Sequence, residues 1–118
     1  MLDTSPLTAA VERFADRLRA APQSRLRQGA AEVALELARE LSARAQALED
    51  AAAGAAGARV REMPDAGLFV VGDQVAVAGA DLAEVLRGAA APDGAKAPSE
   101  VLDEAVRLVE QADARAMR

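Results

Sequence analysis

The chain has 118 residues and carries 14 basic against 19 acidic side chains, a formal net charge of −5. That is the size of one small domain, which leaves little room for a cleft between two domains. Cys, His, Trp and Tyr are all absent, so disulfides, thiolate or imidazole metal sites and the commonest general base are excluded.

The hydrophobic fraction of 52% overstates the core, because 32 of the residues are Ala, which removes little surface from water. Leu, Val, Phe and Met together number 29, and a core that thin favours a partner subunit. Ile and Asn are missing and Lys96 is the sole lysine, a bias of the kind a high-GC bacterial genome imposes. Residues 1–30 carry a net +2 and residues 31–118 a net −7. The acid excess argues against nucleic acid or an anionic membrane as the main partner. The opening MLDTSPL has no basic segment leading into an apolar run, and no stretch of about 18 apolar residues follows anywhere. The expectation is a cytoplasmic protein with no membrane contact.

Thr4-Ser5-Pro6 predicts a helix start, since a hydroxyl can cap free amides and Pro is tolerated in the first turn. Leu7, Val11, Phe14 and Leu18 then recur at 4-3-4 spacing and place one apolar stripe along a helix over 5–20. After Pro22, Ser24 is positioned to cap a second helix with a stripe from Leu26 through Leu37, Leu41 and Leu48. With Gly29 as its only weak point, this helix is expected over 24–53, about 45 Å long. So long a helix in so small a domain suggests that a second chain covers part of it.

Leu68 to Ala78 holds two β-branched-rich runs around Gly72-Asp73, which predicts a β-hairpin over about 68–78. Both of its faces are apolar, whereas a surface hairpin alternates apolar with polar, so each face needs a cover. Asp81 and Glu84 have capping-box spacing ahead of a third helix over 81–90. Residues 91–98 read as a mobile loop, and Ser99 as the cap of a fourth helix over 99–115. The fold expected is therefore mainly α, a single helical domain of about four helices over 1–118 with one hairpin insertion. The helix–hairpin–helix order is similar to that of a prefoldin-type chaperone subunit; no shared motif accompanies it, and no residue role is carried over.

Little in this sequence points to chemistry. Glu32, Glu36 and Glu40 form a carboxylate row on the second helix, but a di-iron centre of the bundle type needs a Glu-x-x-His partner, and Arg39 and Arg44 stand ready to neutralise the row. Arg13, Arg17, Arg19, Arg25 and Arg27 bracket the Pro22 turn and loosely resemble a helix-turn-helix with a basic second helix. The same residues serve equally as surface ion pairs. No G-x-G-x-x-G or Walker-type motif occurs, and no hydroxyl has a His to activate it. Catalytic residues, cofactor ligands and metal ligands are all expected to be none.

The function expected is a non-enzymatic, acidic protein–protein interaction or regulatory protein, a homodimer with room for a further protein partner. Its interface would combine Leu35, Leu41 and Leu48 of the second helix with Leu68, Phe69, Val71, Val75 and Val77 of the hairpin. Phe14 and Phe69, the two aromatics, read most simply as core anchors. A helical small-molecule binder would instead need a cavity among Leu37, Leu41, Val85, Leu102 and Val109. A DNA-binding regulator would need the Arg13–Arg27 cluster.

Overall fold

The computed structural model describes residues 2–54, 62–89 and 97–118. They form four helices around one apolar core: α1 (Ser5–Ala20), α2 (Ala31–Ala53), α3 (Val71–Gly88) and α4 (Pro98–Ala116). Both α3 and α4 pack against both α1 and α2. Helix directions follow from who meets whom. Gly79 lies over Val11 and Gly72 over Ala15 and Arg19, so α3 runs antiparallel to α1. Arg44 reaches Glu104 while Val33 shares a groove with Arg115, so α4 runs antiparallel to α2. Leu35 shares a groove with Val71, and Ala45 one with Asp81, so α2 and α3 are parallel. Residues 62–68 run back along α2, from the groove that Glu62 and Met63 share with Ala45 to the one that Asp65 and Leu68 share with Leu35, as in bundles with a long crossover.

Helix α1 starts where the sequence places it, with Pro6 in its first turn, but the capping differs. Asp3 Oδ1 accepts the Ser5 amide at 3.0 Å. The Ser5 hydroxyl first, and then that amide, hold the exposed Asp3 carboxyl below its ordinary range. The Thr4 hydroxyl accepts instead from Arg87 Nη1 at 3.0 Å, tying the start of α1 to the end of α3.

The expected helix over 24–53 is interrupted at its weak point. Gly29 has φ 131° and ψ −15°, inside a wide turn (Leu26–Ala30) that Ala31 closes by donating its amide to the Leu26 carbonyl. A side chain would be strained at that φ, and glycine is not. The short helical turn before it (Gln23–Arg25) follows Pro22 and has no side-chain cap, so Ser24 does not serve as one. What remains is α2, 23 residues or about 35 Å, ending at a left-handed Gly54.

The larger correction concerns 68–78. No strand occurs among the described residues: Leu68–Val70 is a single tight helical turn and α3 follows from Val71. The apolar residues Val71, Val75, Ala78, Leu82 and Leu86 recur at 4-3-4-4 and are all buried, which is a helical stripe. Read at period two, the same stripe makes both sides of a hairpin look apolar. Gly72 is therefore no turn residue, and the likeness to a helix–hairpin–helix order has no basis. Asp81 and Glu84 lie inside α3 and are exposed, and Glu84 pairs with Arg87 one turn on rather than capping anything.

Gly72 and Gly79 sit in the helix because α1 passes so close. A Cβ at Gly79 would stand 2.6 Å from Val11 Cγ1, and one at Gly72 3.2 Å from the Ala15 carbonyl oxygen. Each glycine costs about 1 kcal/mol of helix propensity relative to Ala, which the close approach offsets. Buried alanines do the same elsewhere, among them Ala10, Ala34, Ala38 and Ala105. Phe14, Leu7, Leu41, Leu82 and Leu86 fill the space between. At the far end, Ala97 rather than Ser99 precedes α4, with Pro98 its first residue. The rest of the loop expected at 91–98 lies outside the described residues.

Gly79→Ala is expected to destabilise the protein by about 1–3 kcal/mol in urea titration, because overpacking against Val11 outweighs the propensity gain. Gly88→Ala, with open space around it, is expected to be neutral or stabilising by up to about 1 kcal/mol.

Candidate functional site

The structure divides the eight residues expected at an interface. Leu41 and Val75 are fully buried and Val71 nearly so, and these three belong to the chain's own core, whereas Leu35, 9% exposed, lines a surface groove. Leu48 and Leu68 are half-buried against the core. Phe69 and Val77 point outward, 78% and 56% exposed, which corrects the reading of Phe69 as a core anchor. Phe14, by contrast, is completely buried.

Phe69 follows Leu68, which lines a groove beside the start of α3. Residues 62–67 run across α2 and α3 before the chain turns into α3. Arg39 Nε donates to the Met63 carbonyl at 2.8 Å and approaches Glu62 Oε1 at 3.3 Å. Gln74 Nε2 donates to the Pro64 carbonyl at 2.8 Å, and Asp65 Oδ1 takes the Gly67 amide at 3.0 Å. Between this strap and the Gly29 break lies a groove of about 500 Å³, with Leu26, Leu35, Leu68 and Val71 along its floor and Arg27, Arg39, Glu32 and Asp65 along its sides. It is open to solvent and mixed in character, with charged side chains of both signs beside apolar ones.

The arginine cluster read from the sequence is partitioned. Arg17 Nη1 meets the mostly buried Asp113 at 3.0 Å. Arg19 meets Asp73 at 2.7 Å and Asp16 at 3.2 Å, and the hydrogen bond to Asp73 holds its guanidinium above its ordinary pKa. Arg25 Nη1 donates to the backbone oxygen of Arg118 at 2.6 Å. Arg13 and Arg27 form no ion pair among the described residues. These arginines therefore do not form one basic surface along the Pro22 turn.

The carboxylate row is exposed, and Glu40 pairs with Arg44 at 3.0 Å as its spacing suggests. Arg44 also binds Glu104 across to α4 at 2.9 Å, while Arg39 goes to the strap rather than to Glu36. Among the described residues no group of three or more His, Cys, Asp or Glu could hold a metal ion. Leu37, Leu41, Leu102 and Val109 are all buried in the core, with Val85 packed at its margin. No helix of the described residues is long and apolar enough to cross a membrane.

Sequence reasoning missed the meeting of the Gly29 break with the last turn of α4. Arg25, Arg115 and Arg118 line one groove of about 400 Å³ there, with Gln28, Gly29 and Val33. The only signal was Gly29 itself, within a helical pattern. No protein-family model matches the chain, and no curated protein or solved structure matches it either.

Val75→Asp is expected to cost several kcal/mol or to abolish folding, because it buries a charge without a partner. Val77→Asp is expected to leave the melting temperature almost unchanged, within about 0.5 kcal/mol. Thermal melts of the two variants side by side check that α3 faces the core as described.

Proposed function

We propose that the protein is a non-enzymatic interaction or regulatory protein that works as a homodimer, with Phe69 at the centre of the contact between copies. The observation that carries this reading is the exposure of Phe69: a chain with two aromatic residues places one of them 78% in water. Aromatic side chains carry the largest apolar surface of any residue and recur as anchors at protein contacts. Leu68, beside it in sequence, lines a groove whose floor holds Leu26, Leu35 and Val71, a seat of the right character for a partner's apolar side chain. The absence of His, Cys, Tyr and Trp from the sequence supports a role in binding rather than in catalysis.

Two other readings have less support. A ligand cavity among Leu37, Leu41, Leu102 and Val109 would have to open within a packed core. A DNA-reading surface over Arg13–Arg27 would have to dispense with Arg17 and Arg19, which carboxylates already hold.

The test is the absolute mass in solution by light scattering over a hundredfold concentration range. The wild type is expected at twice the chain mass of 12.2 kDa, and Phe69→Ser at the single-chain mass, with its helical circular dichroism retained and a melting temperature that, unlike the wild type's, no longer rises with concentration. A wild type that stays monomeric throughout, or a Phe69→Ser dimer as tight as the wild type, overturns the reading.

A further inference from the structure

We infer, resting on the homodimer proposed above, that the groove between the strap and the Gly29 break receives Phe69 of the second copy, and that Arg27 of each copy pairs across it with Glu32 of the other. A two-fold contact uses one patch on both copies, so the patch must complement itself in shape and in charge. Acids outnumber bases 19 to 14 over the chain, which sets two copies against each other unless the faces that meet are balanced. This groove is balanced, with Arg27 and Arg39 against Glu32 and Asp65. The groove at the other end of the strap is lined by Glu49, Glu62 and Asp81 and by no base, so two copies of it would repel. The groove between α1 and α4 is balanced as well, but Arg17 and Asp113 there already hold each other at 3.0 Å, and neither Leu nor Phe lines it.

Two of the four charges at the balanced groove are engaged within the chain. Arg39 donates to the Met63 carbonyl and approaches Glu62, and Asp65 accepts the Gly67 amide. Arg27 and Glu32 are exposed and form no ion pair among the described residues. In an unbroken α-helix, positions five apart face different sides. The wide turn at Gly29 brings both onto one groove without pairing them. One charge of each sign is the set that a two-fold axis satisfies, since each cation then meets the other copy's anion. Shape follows the same rule. Leu26, Leu35, Leu68 and Val71 line the groove, and the residue after Leu68 is Phe69, 78% exposed. With a ring beside a hollow on each copy, each ring fills the other's hollow and apolar surface leaves water on both sides. Surface ion pairs are weak singly, but symmetry repeats each one, so reversing one residue turns two attractions into two repulsions.

The experiment is light scattering of full chains, singly and mixed. Arg27→Glu and Glu32→Arg, both at exposed positions, are each expected to keep their helical circular dichroism and to dimerise at least about tenfold more weakly than wild type. An equimolar mixture of the two is expected to recover the wild-type dimer, because each reversed charge then faces its opposite on the other chain, while the two charges within each chain are alike. Arg107→Glu and Glu100→Arg make the same changes at exposed positions of α4 outside the groove, and each alone is expected to match wild type. Single reversals that dimerise as tightly as wild type, a mixture of folded chains that stays monomeric, or equal weakening by the α4 variants overturns the contact. Should either groove reversal lose its helical signal, Arg27→Gln and Glu32→Gln are each expected to weaken the dimer and their double variant to weaken it no further, and additive weakening overturns the pair. If Phe69→Ser gives monomers while the charge variants change nothing, the homodimer stands and only its seat is wrong. A wild type monomeric at every concentration overturns both and leaves the groove to a different occupant.

Discussion

The bundle depends on how closely α3 lies against α1. Two glycines seven residues apart remove the side chains that would hold the helices apart, and Val11 and Ala15 of α1 fill the space left. Dispersion falls off steeply with separation, so small residues in close contact can hold helices together where large side chains are scarce. This is how a chain with 32 alanines and two phenylalanines builds a core. The apolar mass is modest, but it is brought near enough for backbone and Cβ atoms to contribute. Once α3 is seated on α1, its other side meets α2, and the Arg19–Asp73 and Arg87–Thr4 bonds mark the two ends of the contact with α1.

What the sequence reveals and what it hides follow from the same packing. The stripes of α1 and α4 are regular, bounded by Pro6 and Pro98, and their extents are legible almost to the residue. Helix α3 is not, because two glycines and a β-branched run are the local marks of a turn between strands. Only the wider view, from Val71 to Leu86, shows the spacing of a helix. Tertiary contact decides here over local propensity, since those glycines answer to Ala15 and Val11 of a helix far away in the sequence. The Gly29 break shows the reverse. The residue is conspicuous in the sequence, but nothing local says that the chain turns there rather than tolerating a glycine within a helix.

The candidate sites were hidden for a related reason. Sequence adjacency groups Arg13 to Arg27, whereas folding sends Arg17 and Arg19 to carboxylates on α4 and α3 and brings Arg115 and Arg118 to Arg25. A cluster of like charges in a sequence is thus no guide to a cluster on a surface. Which arginines lack partners is settled only when their potential partners have been placed. Phe69 is a case of the same kind: it falls in an apolar run whose Val71 and Val75 are buried, and it ends up exposed in the turn ahead of the helix.

The crossover between the parallel helices α2 and α3 also bears on the order in which the protein can form. Its neighbours in sequence, α1 and α2, do not close a core by themselves; each is completed by α3 and α4. The bonds that fasten α1 span 83 residues to Arg87 and 96 to Asp113. A chain emerging from the ribosome would therefore carry the apolar stripe of α1, with Phe14 at its middle, uncovered until α3 and then α4 have been made. Long loops must close before such contacts are gained, which slows folding relative to a bundle of successive hairpins. For a helical protein of this size, that interval is the period in which the exposed stripe is most open to association with other chains.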